Sequence, residues 1–144
     1  MSITSTTTGR ADRETGRTHS ASKNRTLWAA QVLLAAVFAF AAMPKLAGAH
    51  SAVAMFGQIG AGQWLRYLVG TAELAGAVGL LIPRLAGLAA AGLAADMAGA
   101  SIINIAVLHS AAVALTIPLC AALALLARAR WEHTTKFLAA RTGR

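Results

Sequence analysis

The sequence predicts an all-α, four-span transmembrane helix bundle with both termini in the cytoplasm, and three observations carry that prediction. The first is composition. Of 144 residues, 57% are hydrophobic and only 12% charged, with a mean hydropathy of +0.60, against roughly 45–50% apolar and about 25% charged in soluble domains. The second is the length of the apolar runs. WLRYLVGTAELAGAVGLLI (residues 64–82) and LAGLAAAGLAADMAGASIINIAVL (85–108) flank Pro83-Arg84, and each supplies the roughly 20 helical residues that cross a hydrocarbon core of about 30 Å. The third is where the basic residues fall. Five lie in the N-terminal tail and five in the C-terminal tail, Arg84 lies in the second loop, Lys45 and Arg66 flank the first, and the third loop has none. The positive-inside rule puts both tails and the Pro83-Arg84 turn in the cytoplasm, which requires an even number of spans.

Residues 1–26 are rich in Ser, Thr, Gly and Arg without hydrophobic periodicity, the pattern of a disordered basic tail. The membrane domain covers residues 27–127. Its first span is 27–43, with Gln31 placed to hydrogen-bond a neighbouring helix. A signal-peptide reading of this run rests on the basic stretch before it and on Ala47-Gly48-Ala49 as a cleavage site. Against it, the run exceeds the usual apolar core of about 7–15 residues.

The first loop is 44–63, where Ser51 is placed to cap a short interfacial helix and Gly57, Gly60 and Gly62 to end it. Span two is 64–82, stopped by Pro83. From 85 to 127 the only charge is Asp96, yet one helix of that length would be about 65 Å long, twice the bilayer core. The chain must turn, and His109-Ser110 is the polar punctuation, so span three begins at Leu85 and span four covers 111–127 with Pro118 inside it. Residues 128–144 form a basic interfacial tail in which Trp131, Phe137 and Leu138 can lie on the membrane surface. Trp28, Trp64 and Trp131 all fall at span ends, the level interfacial aromatics prefer.

Glu73 and Asp96 are the candidate intramembrane site. In an antiparallel pair, Glu73 lies roughly 15 Å before Pro83 and Asp96 roughly 18 Å after Arg84, so both reach similar depth near the midplane. An acid at a helix centre costs about 2.5–3.5 kcal/mol to insert and is read first as functional. Small residues surround both: Gly70, Gly76 and Ala77 beside Glu73, and Gly92, Gly99 and Ala100 beside Asp96, with Asn104 further along the same face. Lys45 and Arg66 could reach inward as partners for Glu73, or snorkel to headgroups, the commoner fate near span ends. The plainer reading of the acids is that each hydrogen-bonds a neighbouring helix and fixes packing register.

Other chemistry is scarce. Cys120 is the single cysteine, which excludes an intrachain disulfide or a CxxC site. His50 and His109 lack metal-ligand spacing, and no nucleotide loop or nucleophile motif occurs, so no metal site is expected and catalytic residues stay unassigned. The net charge of +8 is split between the two ends without a nucleic-acid motif, so lipid rather than nucleic acid is the expected partner.

The stretch GTAELAGAVGLLIPRLAGLAAAGLAADMAGA (70–100), with FAFAAMPKL (38–46) before it, resembles the DoxX-like family of small four-helix integral membrane proteins. The matching features are Lys45 after the first span, Gly-x-x-Glu at Gly70 and Glu73, Gly-Leu-Leu-x-Pro at 79–83, and the small-residue third span. Two positions depart from the pattern: Ala42 where the family often has glycine, and Asn104 where a histidine often ends the third span, so a role for that histidine does not carry over. The family takes its name from a subunit associated with a thiosulfate:quinone oxidoreductase. The resemblance thus implies a multi-pass cell-membrane protein that is a small subunit or accessory of a quinone-linked redox system. No tightly bound cofactor of its own is expected; quinone is the candidate ligand, and a redox partner or a second copy the candidate protein partner. Two other readings stand beside it: a proton-linked carrier or channel for a small solute using Glu73 and Asp96, and a purely structural membrane protein.

Overall fold

The computed structural model describes residues 8–142, with side chains described for 24–131, 134 and 135. The described residues hold five helices and no strand: α1 (Thr8–Ala47), α2 (His50–Ile59), α3 (Gln63–Leu81), α4 (Ala86–Ala106) and α5 (Val113–Thr142). The chain divides into two compact units, Met1–Ala30 and Gln31–Arg144. The described part of the first is the N-terminal stretch of α1; the second holds the remainder of α1 and the other four helices.

Within the second unit the buried positions follow the 4-3 spacing of one helix face. That row is Gln31, Ala35, Phe38 and Ala42 on α1; Arg66, Gly70, Glu73, Ala77 and Leu80 on α3; and Ala86, Ala90, Leu93, Met97, Ser101 and Asn104 on α4, with Leu34, Gly79 and Gly87 buried beside it. The opposite faces are apolar too: Phe40 is 82% exposed and Leu33, Ile102 and Leu125 between 66 and 69%. Helices apolar all round, with their polar groups turned inward, are what a lipid solvent requires. Asn24–Ala47, Ala86–Ala106 and Val113–Trp131 are long and apolar enough to cross a membrane. α3 has the length, but Arg66 and Glu73 lower its hydropathy.

Small residues set the helix spacing. α3 packs on α4, α4 on α5, and α2 on α3. A Cβ on Gly76 would come within 2.6 Å of the Leu93 side chain, one on Gly79 within 2.8 Å of the Ala89 Cβ, and one on Gly87 within 2.6 Å of the Thr134 hydroxyl. Backbones approach at these points because no side chain intervenes.

Several boundaries differ from those read in the sequence. α1 begins at Thr8, so residues 8–26, expected as disordered tail, are helical; residues 1–7 lie outside the described residues. Extending an existing helix adds one hydrogen bond per residue fixed, without a new nucleus, and no proline interrupts the chain before Pro44. Pro44 is not the start of the loop: α1 continues to Ala47. The helix closes with Gly48 at φ 72° and the Ala49 N–H bonded to the Pro44 carbonyl at 2.9 Å, a Schellman-type end in which glycine takes the left-handed position. Ala47-Gly48-Ala49 is thus a helix cap. Ala49, not Ser51, precedes α2, without a side-chain cap, and Gly60 ends that helix at φ 77°. α5 runs past Ala127 to Thr142, carrying the expected interfacial tail on the same helix; the side chains of Phe137 and Leu138 lie outside the described residues.

Candidate functional site

The C-terminal end of α1 and the middle of α3 meet where Gly70 lies against the Cβ of Lys45 and the side chain of Leu46; an added Cβ would sit 3.1 Å from either. The absence of a side chain at Gly70 brings α1 close enough for Lys45 to reach Glu73, one turn further along the same face of α3. The Lys45 ammonium donates to both carboxylate oxygens of Glu73, at 2.9 and 2.7 Å, and to the carbonyl of Ala41 at 3.1 Å. All three ammonium donors are thereby engaged. Glu73 is 2% exposed. Two charges that would each be costly in hydrocarbon enter it as one bonded pair.

Arg66 holds the other side of this joint. It is 4% exposed, donates to the Lys45 carbonyl and to Gln63 Oε1 at 2.9 Å, and lies 4.1 Å from the centre of the Tyr67 ring. The expectation favouring a snorkelling Arg66 is therefore corrected. The last turn of α1 leaves carbonyls without partners, and the guanidinium answers that need and the negative end of the helix dipole together.

Asp96 does not hydrogen-bond Glu73 or Lys45. Its Oδ2 is buried without a hydrogen-bond partner among the described residues. Glu73, Asp96, Lys45 and Asn104 line one cavity of about 520 Å³, whose walls are otherwise largely apolar: Phe38, Met55, Phe56, Ile103, Leu115 and others from all five helices. Asn104 is 8% exposed. The cavity thus gathers Lys45, Glu73, Asp96 and Asn104, whereas Arg66 stands behind Lys45 and is not part of its lining.

Some polar contacts escaped the sequence reading. Ser101 donates to Thr116 at 2.8 Å, and Cys120 donates through sulfur to the Ala94 carbonyl at 3.3 Å, both joining α4 to α5. Gln31, expected to bond another helix, does so: its Nε2 donates to the Leu80 carbonyl at 2.6 Å. The Arg130 Nε donates to Gln31 Oε1 at 2.9 Å, an unforeseen partner. Arg130 follows Leu123 and Leu126 at helical spacing, a signal that would have placed it inward. His109 takes a positive φ of 45° in the α4–α5 turn, with Nδ1 3.3 Å from the Val107 carbonyl, and among the described residues no group of three or more His, Cys, Asp and Glu could hold a metal ion.

The sequence profile of the DoxX-like family matches residues 29–129, from the first span through the end of the fourth expected one. The chain belongs to the DoxX-like family. It is a membrane protein of that family, with both tails outside the matched region. Neither a curated protein nor a solved structure matches the chain.

Proposed function

We propose that this DoxX-like protein spans the cell membrane four times with both termini cytoplasmic, and serves as a small subunit or accessory of a quinone-linked redox system. The observation that carries the reading is an ion pair, half-buried Lys45 with buried Glu73, on the wall of a largely apolar cavity. Its volume falls within the roughly 300–1,000 Å³ of small-molecule sites, which are likewise apolar with a few placed polar groups. A quinone is a flat apolar ring with carbonyl acceptors, and the Asn104 side-chain amide in the cavity wall is a donor suited to them. For α3 as the fourth span, support comes from its charges: Arg66 and Glu73 are both bonded to Lys45 within the protein, which removes much of the cost of inserting them. The same contacts favour retention of α1 in the mature protein, since cleavage after Ala49 would strip Glu73 of Lys45 and Leu80 of Gln31.

The test is binding of a short-chain quinone to protein in nanodiscs, by equilibrium dialysis. Gly99 lines the cavity and a Cβ there meets nothing within 4 Å, so Gly99→Leu adds apolar bulk to the cavity while every polar side chain of its wall is retained. Wild type should bind saturably and Gly99→Leu at least about tenfold more weakly, a loss of ~1.4 kcal/mol. Absence of saturable binding, or an unaffected variant, would overturn the ligand assignment.

A second reading, the proton-linked carrier, is favoured by the unbonded Oδ2 of Asp96 in the same cavity wall as Glu73. It requires pH-driven solute flux in proteoliposomes that Asp96→Asn abolishes; a purely structural protein would show neither binding nor flux.

A further inference from the structure

α4 and α5 leave a second cleft, of about 640 Å³, which shares no lining residue with the polar cavity. Its floor is Ala91 and Ala94 from α4 with Ala124 and Ala127 from α5, and its rim is Arg128 and Trp131. The direction of the cleft follows from the packing register. Gly87 lies against Arg130 and Thr134, while Ala94 accepts the bond from Cys120, so the two helices run antiparallel. The cleft therefore starts at the last turn of the apolar stretch Val113–Trp131 and descends past Ala91 and Ala127 toward Ala94 and Ala124.

The two arginines of this turn are used differently. Arg130 is 6% exposed and bonded to Gln31. Arg128 is exposed, and no described residue hydrogen-bonds or ion-pairs with its guanidinium. Trp131 is half exposed beside it.

We propose that this cleft binds one anionic phospholipid of the surrounding bilayer. A guanidinium is a planar fork of donors matched to phosphate oxygens. Indole settles at headgroup level. Below them, alanines offer a smooth apolar trough on which the upper part of an acyl chain can lie. Charge complementarity selects the anionic headgroup, since a basic side chain at the membrane surface attracts anionic lipid. It also disfavours a second copy of the chain as occupant, because a two-fold interface uses the same patch of both copies, and this patch brings Arg128 with no acidic residue in its lining to pair the arginine of the other copy.

The experiment is native mass spectrometry of the full chain released from phosphatidylcholine nanodiscs containing a minor fraction of phosphatidylglycerol, counting retained lipids. Wild type should keep one phosphatidylglycerol in preference to phosphatidylcholine. Arg128→Gln should lower that preference about fivefold, the effect of one basic residue at an anionic surface. Ala124→Leu, which fills the trough without changing charge, should lower it as well, and Arg84→Gln, in the neighbouring turn, should leave it intact. Helical circular dichroism establishes that each variant is folded. Equal retention of the two lipids by wild type overturns the proposal. So does an unchanged Arg128→Gln, an Arg84→Gln as weakened as Arg128→Gln, or a dimer dispersed by Ala124→Leu in place of lipid loss.

Discussion

Lys45 and Glu73 show how little a residue's identity says about its stake in the fold until its partner is known. Removing one member of a buried ion pair leaves the other uncompensated, at about 3–5 kcal/mol, whereas replacing both with apolar residues of similar size is often neutral. Lys45→Met should therefore destabilise the protein by that order in a detergent unfolding titration, and Lys45→Met with Glu73→Met should recover most of the loss. If the double variant is as unstable as the single one, the pair is not what matters at this joint. Glu73→Gln belongs to the same argument. A buried carboxyl that holds its proton is replaceable by an amide; with Lys45 bonded to both its oxygens, the amide removes the countercharge, and Glu73→Gln should lower the unfolding midpoint unless Lys45 is also neutralised. Glu73 was legible as special because acids are rare in apolar runs. Its partner was not, because one-dimensional spacing does not say which of Lys45, Arg66 and Asp96 lies nearest once three helices pack.

Among the elements, small residues that look alike in sequence divide into those that touch a neighbour and those that do not. Gly76 and Gly92 both lie inside helices, but a Cβ on Gly76 meets the Leu93 side chain and one on Gly92 meets nothing within 4 Å. Gly76→Ala should cost about 1–3 kcal/mol, the usual range for overpacking, and Leu93→Ala in the same chain should relieve part of it. Gly92→Ala should be neutral or stabilising by up to ~1 kcal/mol, since alanine is the better helix former. Unfolding midpoints of the three variants check this; equal effects at both glycines would contradict the packing. The helices themselves were readable from apolar length, and Pro83 from its ring. Pro44 misled because a proline costs one ladder bond, and at the last turn of a long helix that cost is outweighed when Gly48 and Arg66 satisfy the end.

For the molecule as a whole, the four-span proposal gives a labelling pattern. In a Cys120→Ala background, single cysteines at Asn24, Ser51 and Thr135 should leave only position 51 open to an impermeant thiol reagent added to intact cells. Thr135 is exposed and serves better than Thr134, which is packed on Gly87. Labelling at 24 or 135 from outside would mean that α3 does not cross, since three spans put the termini on opposite sides.

What the sequence determined by itself was class and periodicity: a membrane protein, helical, with inward stripes at 4-3 spacing and acids at two known points, because solvent and helix geometry act on each segment separately. Family membership was likewise carried by local motifs from 70 to 100 and around Lys45. The tertiary structure decided which charges meet. Lys45 bonds Glu73 and not Asp96, Arg66 turns inward to a carbonyl of α1, and Arg130 joins Gln31 across 99 positions of chain. Those choices depend on the close approach that Gly70 allows between α1 and α3 and that Gly87 allows between α4 and α5, and an ångström-scale spacing between helices is a property of their packing together, not of either segment.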